Sequence, residues 1–387
     1  MSTYFSQFRF SYQALFSIGF RPFFLLGSLF AVVLMLLWIM QLRGAFTPGY
    51  YPGVLWHSHE LIFGFTTAII SGFLLTAVRN WTGKETLSGH SLAAIVVLWL
   101  LGRLLPFTAL APELIALVDL AFYPCLTFAI GKPILQSGNM RNMVFIAFCG
   151  LFFLMNLLVH FDVLGIAPGM AHLGIYGALN LVILVMLIIG GRVIPFFTEK
   201  ATADYKGKRI GFIEKAVIPV AVVLFLNDLW QPFALWAYLL SGLLAILLLL
   251  RIGAWFDKAF LSNPLLWILH LGYLFIAIGF ALRATTLITG LSPFLYVHAL
   301  TTGGIGLLTI GMMSRVALGH TGRPLVLPKL MLFAFVLMVF SVLARVVVMG
   351  LVNKPFVYDM AGSFWIAAFI LFFVVYLPAL VSPRADA

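Results

Sequence analysis

Charge is scarce in this sequence. Asp, Glu, Lys and Arg make up 9% of its 387 residues, while 63% are apolar and the mean hydropathy is +1.12. A soluble domain carries about 25% charged residues, so this chain has too few to cover a globule with polar surface. The composition therefore excludes a soluble enzyme, a disordered chain, and a nucleic-acid binder whose net charge of +11 would be its footprint.

Cysteine and strand-like alternation are scarce as well. The two cysteines, Cys125 and Cys149, both lie in apolar runs, which excludes a disulfide scaffold. Apolar residues form continuous blocks rather than the alternating pattern of transmembrane strands. These features predict an all-α integral membrane protein that forms a single polytopic domain over residues 1–387.

Twelve apolar blocks are long enough to be membrane helices, each of which needs about 20 apolar residues. We number these predicted helices 1 to 12 along the chain. They cover approximately residues 18–40, 55–78, 90–106, 112–130, 142–162, 170–194, 211–229, 233–251, 264–288, 294–316, 328–351 and 357–380.

The basic residues indicate the orientation of these helices. With twelve spans both termini share a side, and eighteen of the 23 Lys and Arg residues then lie on that side. The opposite side holds four, Arg43, Arg103, Arg283 and Lys354, while Arg345 falls inside helix 11. Basic residues accumulate in cytoplasmic loops, so both termini are expected in the cytoplasm. Membrane topology then explains the net charge, and no nucleic-acid partner is needed.

Histidines gather at one predicted depth. Helices 2, 6 and 10 enter from the outer side, and His57, His59, His172 and His298 lie at or near their outer ends. Neutral imidazole is a good ligand for haem iron and copper. On a helix His57 and His59 face nearly opposite ways, whereas His57 and Glu60 share a face. A single intramembrane histidine is often only a contact between helices, so the argument for a metal rests on this convergence.

The sequence also contains an internal repeat. A shift of 239 residues aligns His59–Gly83 with His298–Gly322, so that two histidines and several glycines coincide. A looser similarity in helix 6 suggests three units of four helices each, at residues 1–135, 136–258 and 259–387. This arrangement resembles in outline the catalytic subunit of haem–copper oxidases. The paired histidines expected in helix 7 and the double-histidine pattern expected in helix 10 are missing.

Several motifs resemble the NnrS family of bacterial membrane proteins, and the resemblance covers nearly the whole chain. They are the segments at residues 20–24 (FRPFF), 56–60 (WHSHE), 72–77 (GFLLTA), 80–83 (NWTG), 98–103 (LWLLGR), 190–198 (GGRVIPFFT), 298–301 (HALT), 312–315 (MMSR) and 319–323 (GHTGR). The resemblance implies a bacterial inner-membrane protein that contains haem and copper and is associated with denitrification and with defence against nitric oxide.

Together with this resemblance, the histidines become candidate ligands. His59 and His298, equivalent in the repeat, are the predicted axial ligands of a b-type haem, since no motif for covalent haem attachment is present. His172 and His57 are the next candidates, for copper or a second haem. Glu60 is the candidate catalytic residue, as a source of protons or as a metal carboxylate.

Four arginines are candidate partners for haem propionates, because a guanidinium binds a carboxylate through two hydrogen bonds. They are Arg103, Arg192, Arg283 and Arg345. Arg192 is explained equally well as a cytoplasmic basic residue at a helix end.

The leading hypothesis is redox handling of nitric oxide at a membrane haem, with its reduction to nitrous oxide by electrons from quinol. Two other classes stay open. Twelve helices with internal repeats also suit a secondary transporter of an anion or a metal complex. A non-catalytic sensor or metal-delivery protein would bind haem or copper without turnover.

Overall fold

The computed structural model describes residues 9–202, 205, 207–230, 234–352 and 354–386. The regular structure of these residues is helical throughout. Twelve long helices correspond one to one with the twelve predicted blocks. They are α1 Phe20–Leu42, α2 Val54–Thr82, α3 Gly89–Phe107, α4 Pro112–Gln136, α5 Met140–Val163, α6 Met170–Ala201, α7 Gly211–Trp230, α8 Leu235–Trp255, α9 Pro264–Thr289, α10 Pro293–Gly319, α11 Lys329–Val352 and α12 Pro355–Val381.

Most of these helices are suited to a bilayer. Among the described residues, eleven helices are long and apolar enough to cross a membrane. The remaining long helix, α7, has 20 residues and carries Glu214, Lys215 and Asp228. The prediction of an all-α membrane protein with about twelve helices is confirmed.

Proline and glycine set several helix ends. Proline occupies the first turn of α4 and α9, where a backbone N–H would have no partner within the helix. The helix α2 ends at Gly83, whose φ of +64° places it in the left-handed region that glycine adopts freely. Its N–H donates to the carbonyl of Arg79 at 2.9 Å and closes the last turn.

The helices α2 and α10 contain the same irregularity. The helix α2 becomes π-helical over Glu60–Thr66, and α10 does so over Ala299–Gly306. His59 and His298 are the residues immediately before these segments. Short π-helical segments are rare and are frequently found at functional sites. The shared irregularity lies where the 239-residue shift aligns the chain, while the division into three repeat units stays a prediction.

The helix before each of these two also packs against it in a similar way, α1 against α2 and α9 against α10. A Cβ added to Gly27 on α1 would lie 2.8 Å from the side chain of Ile69 on α2. A Cβ added to Gly272 on α9 would lie 2.8 Å from the side chain of Leu308 on α10. Both helix pairs therefore come together at a glycine that faces an aliphatic residue two or three positions after the π-helical segment.

Contacts divide the chain into two compact units. The first comprises Met1–Leu179, Val316–Val326 and Phe369–Ala387, and the second comprises Asn180–Arg315 and Leu327–Ala368. The first unit contains α1 to α5, and the second contains α7 to α9 and α11.

Candidate metal centre

Eight buried polar side chains form one network in the first unit. They come from α2, α3, α4 and α5 and from the connection that precedes α2, and we call them the polar cluster. Its members are Tyr50, Tyr51, His59, Glu60, Arg103, Asp119, Asn156 and His160. Each is at most 9% exposed, so contacts within the protein rather than bulk water must satisfy their polar atoms.

His59 has partners at both ring nitrogens. Its Nδ1 lies 3.0 Å from Glu60 Oε1, and its Nε2 lies 2.9 Å from Asn156 Oδ1 and 3.1 Å from Tyr51 Oη. An ionised carboxylate only accepts hydrogen bonds, so Nδ1 donates to Glu60. The rings of Tyr51 and Phe63 lie 4.3 and 5.0 Å from the imidazole, centroid to centroid. His59 is therefore held in one orientation.

Asp119 connects the members of the cluster. Its Oδ2 accepts from Asn156 Nδ2 at 2.8 Å and lies 3.0 Å from His160 Nε2 and 3.4 Å from His59 Nε2. Its other oxygen accepts from Arg103. One carboxylate oxygen thus faces a guanidinium, and the other faces two imidazole nitrogens.

Arg103 pairs with two carboxylates at once. It donates to Glu60 Oε2 at 2.8 Å and to Asp119 Oδ1. One guanidinium against two carboxylates leaves the cluster one positive charge short of neutrality. Uncompensated charge is costly in an apolar interior, so the cluster favours one further positive charge. A second proton on an imidazole supplies this charge, and so does a metal ion.

Two tyrosines enter the cluster from the connection between α1 and α2. Tyr50 Oη lies 2.9 Å from His160 Nδ1. Burial raises the pKa of Tyr51 well above its usual range, and the charges of Asp119 and Glu60 raise it further. Burial also raises the pKa of Tyr50, with Asp119 as the next cause. Both phenols therefore stay protonated at neutral pH.

Three members of the polar cluster could hold a metal ion. His59, Asp119 and His160 each offer one ligand atom, and these atoms all lie within 4.8 Å of one another. Two histidines and a carboxylate form a donor set known for iron, and imidazole also suits copper. Glu60 and Tyr50 occupy the Nδ1 side of the two rings, as the outer partners of metal-binding histidines do.

Two glycines let the helices of the cluster approach closely. A Cβ added to Gly102 on α3 would lie 2.6 Å from Asp119 Oδ1 on α4. One added to Gly64 on α2 would lie 2.9 Å from Glu60 Oε2 and 3.0 Å from Arg103 Nη1. Any larger residue at either position would displace a charged side chain.

The other candidate histidines of the first unit lie outside the polar cluster. His57 is buried and stacks on Trp38 of α1, with ring centroids 4.1 Å apart. His172 is exposed at the start of α6 and stacks on Tyr176, one turn later, at 4.3 Å. Their predicted roles as metal ligands stay predictions.

In the second unit His298 is held by a backbone group. Its Nδ1 lies 2.6 Å from the carbonyl oxygen of Phe294. A carbonyl only accepts, so Nδ1 carries the proton and Nε2 presents its lone pair. Arg345 lies over the ring of Tyr358, with its guanidinium carbon 4.5 Å from the ring centroid. Within the described part of the chain, no carboxylate pairs with Arg345.

The remaining predicted arginines of the second unit differ from Arg345. Arg283 donates through both terminal nitrogens to Asp228, at 2.7 and 2.6 Å, and Asn180 donates to the same carboxylate at 2.9 Å. A protein carboxylate thus already occupies the fork predicted to bind a propionate. Arg192 lies on α6, half-buried.

The polar cluster combines predicted and unpredicted residues. The sequence singled out His59, Glu60 and Arg103 as site residues. Asp119 was not predicted, although the sequence could have indicated it, because a carboxylate inside an apolar helix of 25 residues marks a functional position. Tyr50 and Tyr51 lie outside any helix, so no periodic pattern pointed to them.

Similarity to a known family extends over nearly the whole chain. The family model described as NnrS protein matches residues 14–384. This range includes every member of the polar cluster as well as His298. No curated protein matches the chain.

Proposed function

Because the chain belongs to the NnrS family, we propose that it handles nitric oxide at a metal centre held by His59, Asp119 and His160. Membership of this family makes it a membrane protein of the nitric oxide response. The missing positive charge carries the proposal. Two imidazole Nε2 atoms lie 3.0 and 3.4 Å from one carboxylate oxygen, and a metal ion bound by all three would supply that charge.

The residues around this centre prepare it for a metal ion. Glu60 accepts from His59 Nδ1 and so fixes the ring with Nε2 on the side of Asn156 and Asp119, where it would bind a metal ion. Arg103 neutralises one carboxylate charge and holds Glu60 and Asp119 in place. The cluster is sealed from water, which suits an apolar gas that reaches it through lipid. When bound, a copper or iron ion supplies a coordination site for nitric oxide and one-electron chemistry.

Of the two histidines predicted to bind haem, His59 and His298, one fits this role better than the other. Asn156, Tyr51 and Asp119 lie 2.9, 3.1 and 3.4 Å from His59 Nε2, which leaves room for a metal ion that replaces these contacts but not for a porphyrin, so His59 does not fit as a haem ligand. His298 fits, because its Nδ1–H is bound by a carbonyl and its Nε2 lone pair is presented. We therefore assign a b-type haem to His298, with Arg345 as the propionate partner.

The proposed reaction is the reduction of two nitric oxide molecules to nitrous oxide and water, which takes two electrons and two protons. Quinol supplies the electrons in this proposal. Glu60 keeps its predicted role in proton supply, although its contacts make it first a positioning residue for His59. We place the protein in the bacterial inner membrane with both termini in the cytoplasm, as the distribution of basic residues favours.

Metal and haem content of single variants test the assignment. His160→Gln and Asp119→Asn should lose the copper or iron bound by the purified parent protein and keep its Soret band. His298→Gln, the matched control, should keep the copper or iron and lose the Soret band. Full metal content in both cluster variants would overturn the metal centre, and a Soret band unchanged in His298→Gln would overturn the haem assignment.

Turnover separates an enzyme from a sensor. Anaerobic protein supplied with a reduced quinol should consume nitric oxide and release nitrous oxide, and Asp119→Asn should lose this activity. Stoichiometric binding of nitric oxide without nitrous oxide would remove the reductase and leave a sensor. A colourless, metal-free and folded protein would favour transport.

A further inference from the structure

Among the described residues of the second unit, the buried polar atoms without a hydrogen-bond partner include two on α8 and α9. They are Nε2 of His270 on α9 and Nε1 of Trp255 on α8. His270 is 4% exposed and Trp255 is 1% exposed, so bulk water does not reach them. Buried polar groups are rarely left unsatisfied in folded proteins, and each such exception calls for a ligand or a bound water.

The two atoms have opposite hydrogen-bonding characters. His270 Nδ1 lies 3.0 Å from the carbonyl oxygen of Leu266, which can only accept, so Nδ1 carries the proton. His270 Nε2 is therefore an acceptor. Trp255 Nε1–H is always a donor. Together they suit a molecule that donates one hydrogen bond and accepts another.

The surroundings favour an uncharged aromatic ligand. Phe260 lies parallel to the His270 ring at 4.0 Å, and the Trp255 ring lies 5.2 Å from that of Tyr273. The nearby cation Arg251 is already paired with Glu214 and donates to Tyr273 Oη at 2.7 Å. The charge of this arginine is thus compensated, which favours an uncharged ligand over an anion.

The position suits a ligand that comes from the membrane. Trp255 is the last residue of α8, and His270 lies fewer than two turns after Pro264, where α9 begins. The helices α8 and α9 are joined by a short segment and pack against each other. Both unpartnered atoms therefore belong to the same end of a helical hairpin, close to where apolar spans meet the headgroup region.

We propose that Trp255 and His270 bind the head group of a lipid-soluble hydroquinone. One hydroxyl donates to His270 Nε2, and the oxygen at the opposite end of the ring accepts from Trp255 Nε1–H. A metal ion would use the histidine lone pair and leave the indole unsatisfied. A ligand with one hydroxyl at each end of an aromatic ring satisfies both groups.

The proposal deepens the proposed function and rests on it only for the use of the electrons. Oxidation of one hydroquinone to the quinone releases two electrons and two protons. These are the numbers that the reduction of two nitric oxide molecules consumes. Binding itself needs neither the metal at the polar cluster nor nitric oxide.

Ligand-induced thermal stabilisation tests the site. The probe is a decyl-substituted benzohydroquinone, added anaerobically to the purified full-length protein, whose melting temperature should rise with ligand concentration. Trp255→Phe and His270→Leu each remove one hydrogen bond to the ligand and should weaken binding about tenfold. Trp267→Phe, on α9 and packed against Phe335, is the matched control and should bind as the parent does.

Two results would overturn the site. The first is a parent protein whose melting temperature does not respond to the hydroquinone, which would mean that bound water satisfies the two groups. The second is equal binding by the parent and both variants. Because both variants delete unsatisfied groups, we expect them to fold, and His270→Gln, which retains an acceptor, should recover part of the affinity.

Failure here and failure of the metal centre are distinguishable. The same titration is carried out on Asp119→Asn, which lacks a proposed metal ligand. Hydroquinone binding by that variant at parent affinity is the expected result. Loss of binding in Asp119→Asn, with full binding in Trp255→Phe, would contradict the site whatever the metal content.

Discussion

His59 and Glu60 are neighbours in the chain, and their side chains contact each other, with Nδ1 3.0 Å from Oε1. Consecutive residues of an α-helix project about 100° apart and do not face each other. The contact occurs where α2 changes from α-helical to π-helical geometry, at Glu60. The local irregularity thus gives His59 a carboxylate partner from the adjacent position, and that partner fixes which ring nitrogen points toward Asp119.

Replacing Glu60 with glutamine should weaken metal binding while leaving the ligands in place. The amide oxygen can still accept from His59, but one negative charge disappears, and with it the demand for an extra cation. We expect metal affinity to fall by about 10–100-fold, the usual effect of changing an outer partner of a ligating histidine. A competition titration against a chelator measures this. Glu113→Gln, an exposed acid at the start of α4, should bind as the parent, and equal affinities in all three proteins would contradict the charge argument.

Adding one methyl group at Gly102 should disturb the centre from a neighbouring helix. The new Cβ would lie 2.6 Å from Asp119 Oδ1, so the carboxylate or the α3 backbone must shift. We expect a loss of about 1–3 kcal/mol in the free energy of unfolding and at least a tenfold loss of metal affinity. Gly150→Ala on α5 is the control, since nothing lies within 4 Å of its added Cβ. Because alanine favours a helix, that change should be neutral or slightly stabilising, and similar behaviour of the two variants would count against the close approach.

The sequence predicted the membrane helices well because long apolar blocks leave few alternatives. It also singled out His59, Glu60 and Arg103, since ionisable groups stand out in an apolar chain. It did not predict that they meet Asp119 on α4, because helix packing, rather than spacing along the chain, brings α2, α3 and α4 together. The proposed grouping of helices 2, 6 and 10 relied on depth alone, whereas the cluster forms among α2 to α5.

The similar packing of α1 on α2 and of α9 on α10 predicts an unequal pair of substitutions. At Gly27 an added Cβ meets the far end of the flexible Ile69 side chain, which can move aside. At Gly272 an added Cβ meets Leu308 Cγ at 2.8 Å and the Leu308 backbone nitrogen at 2.9 Å. The backbone of α10 cannot move aside in this way. Gly272→Ala should therefore lower the melting temperature more than Gly27→Ala does, with a cost of about 1–3 kcal/mol. Equal melting temperatures, measured in the same detergent, would contradict this packing.

Alkaline pH should reveal the burial of Tyr51. Burial and the neighbouring carboxylates raise its pKa in the folded protein. A group whose pKa is raised by folding contributes stability that is fully present below its unfolded pKa of about 10 and is lost as the pH rises toward the folded value. Above pH 10 the unfolded chain releases this proton and the folded protein does not, which lowers the free energy of unfolding by about 1.4 kcal/mol per pH unit.

Tyr51→Phe removes this contribution, so the stability of the variant should decline less steeply between pH 9 and 11 than that of the parent. Tyr12→Phe, at an exposed position, is the control. A decline in Tyr51→Phe as steep as in the parent would show that the phenol reaches water at high pH and that the polar cluster is open.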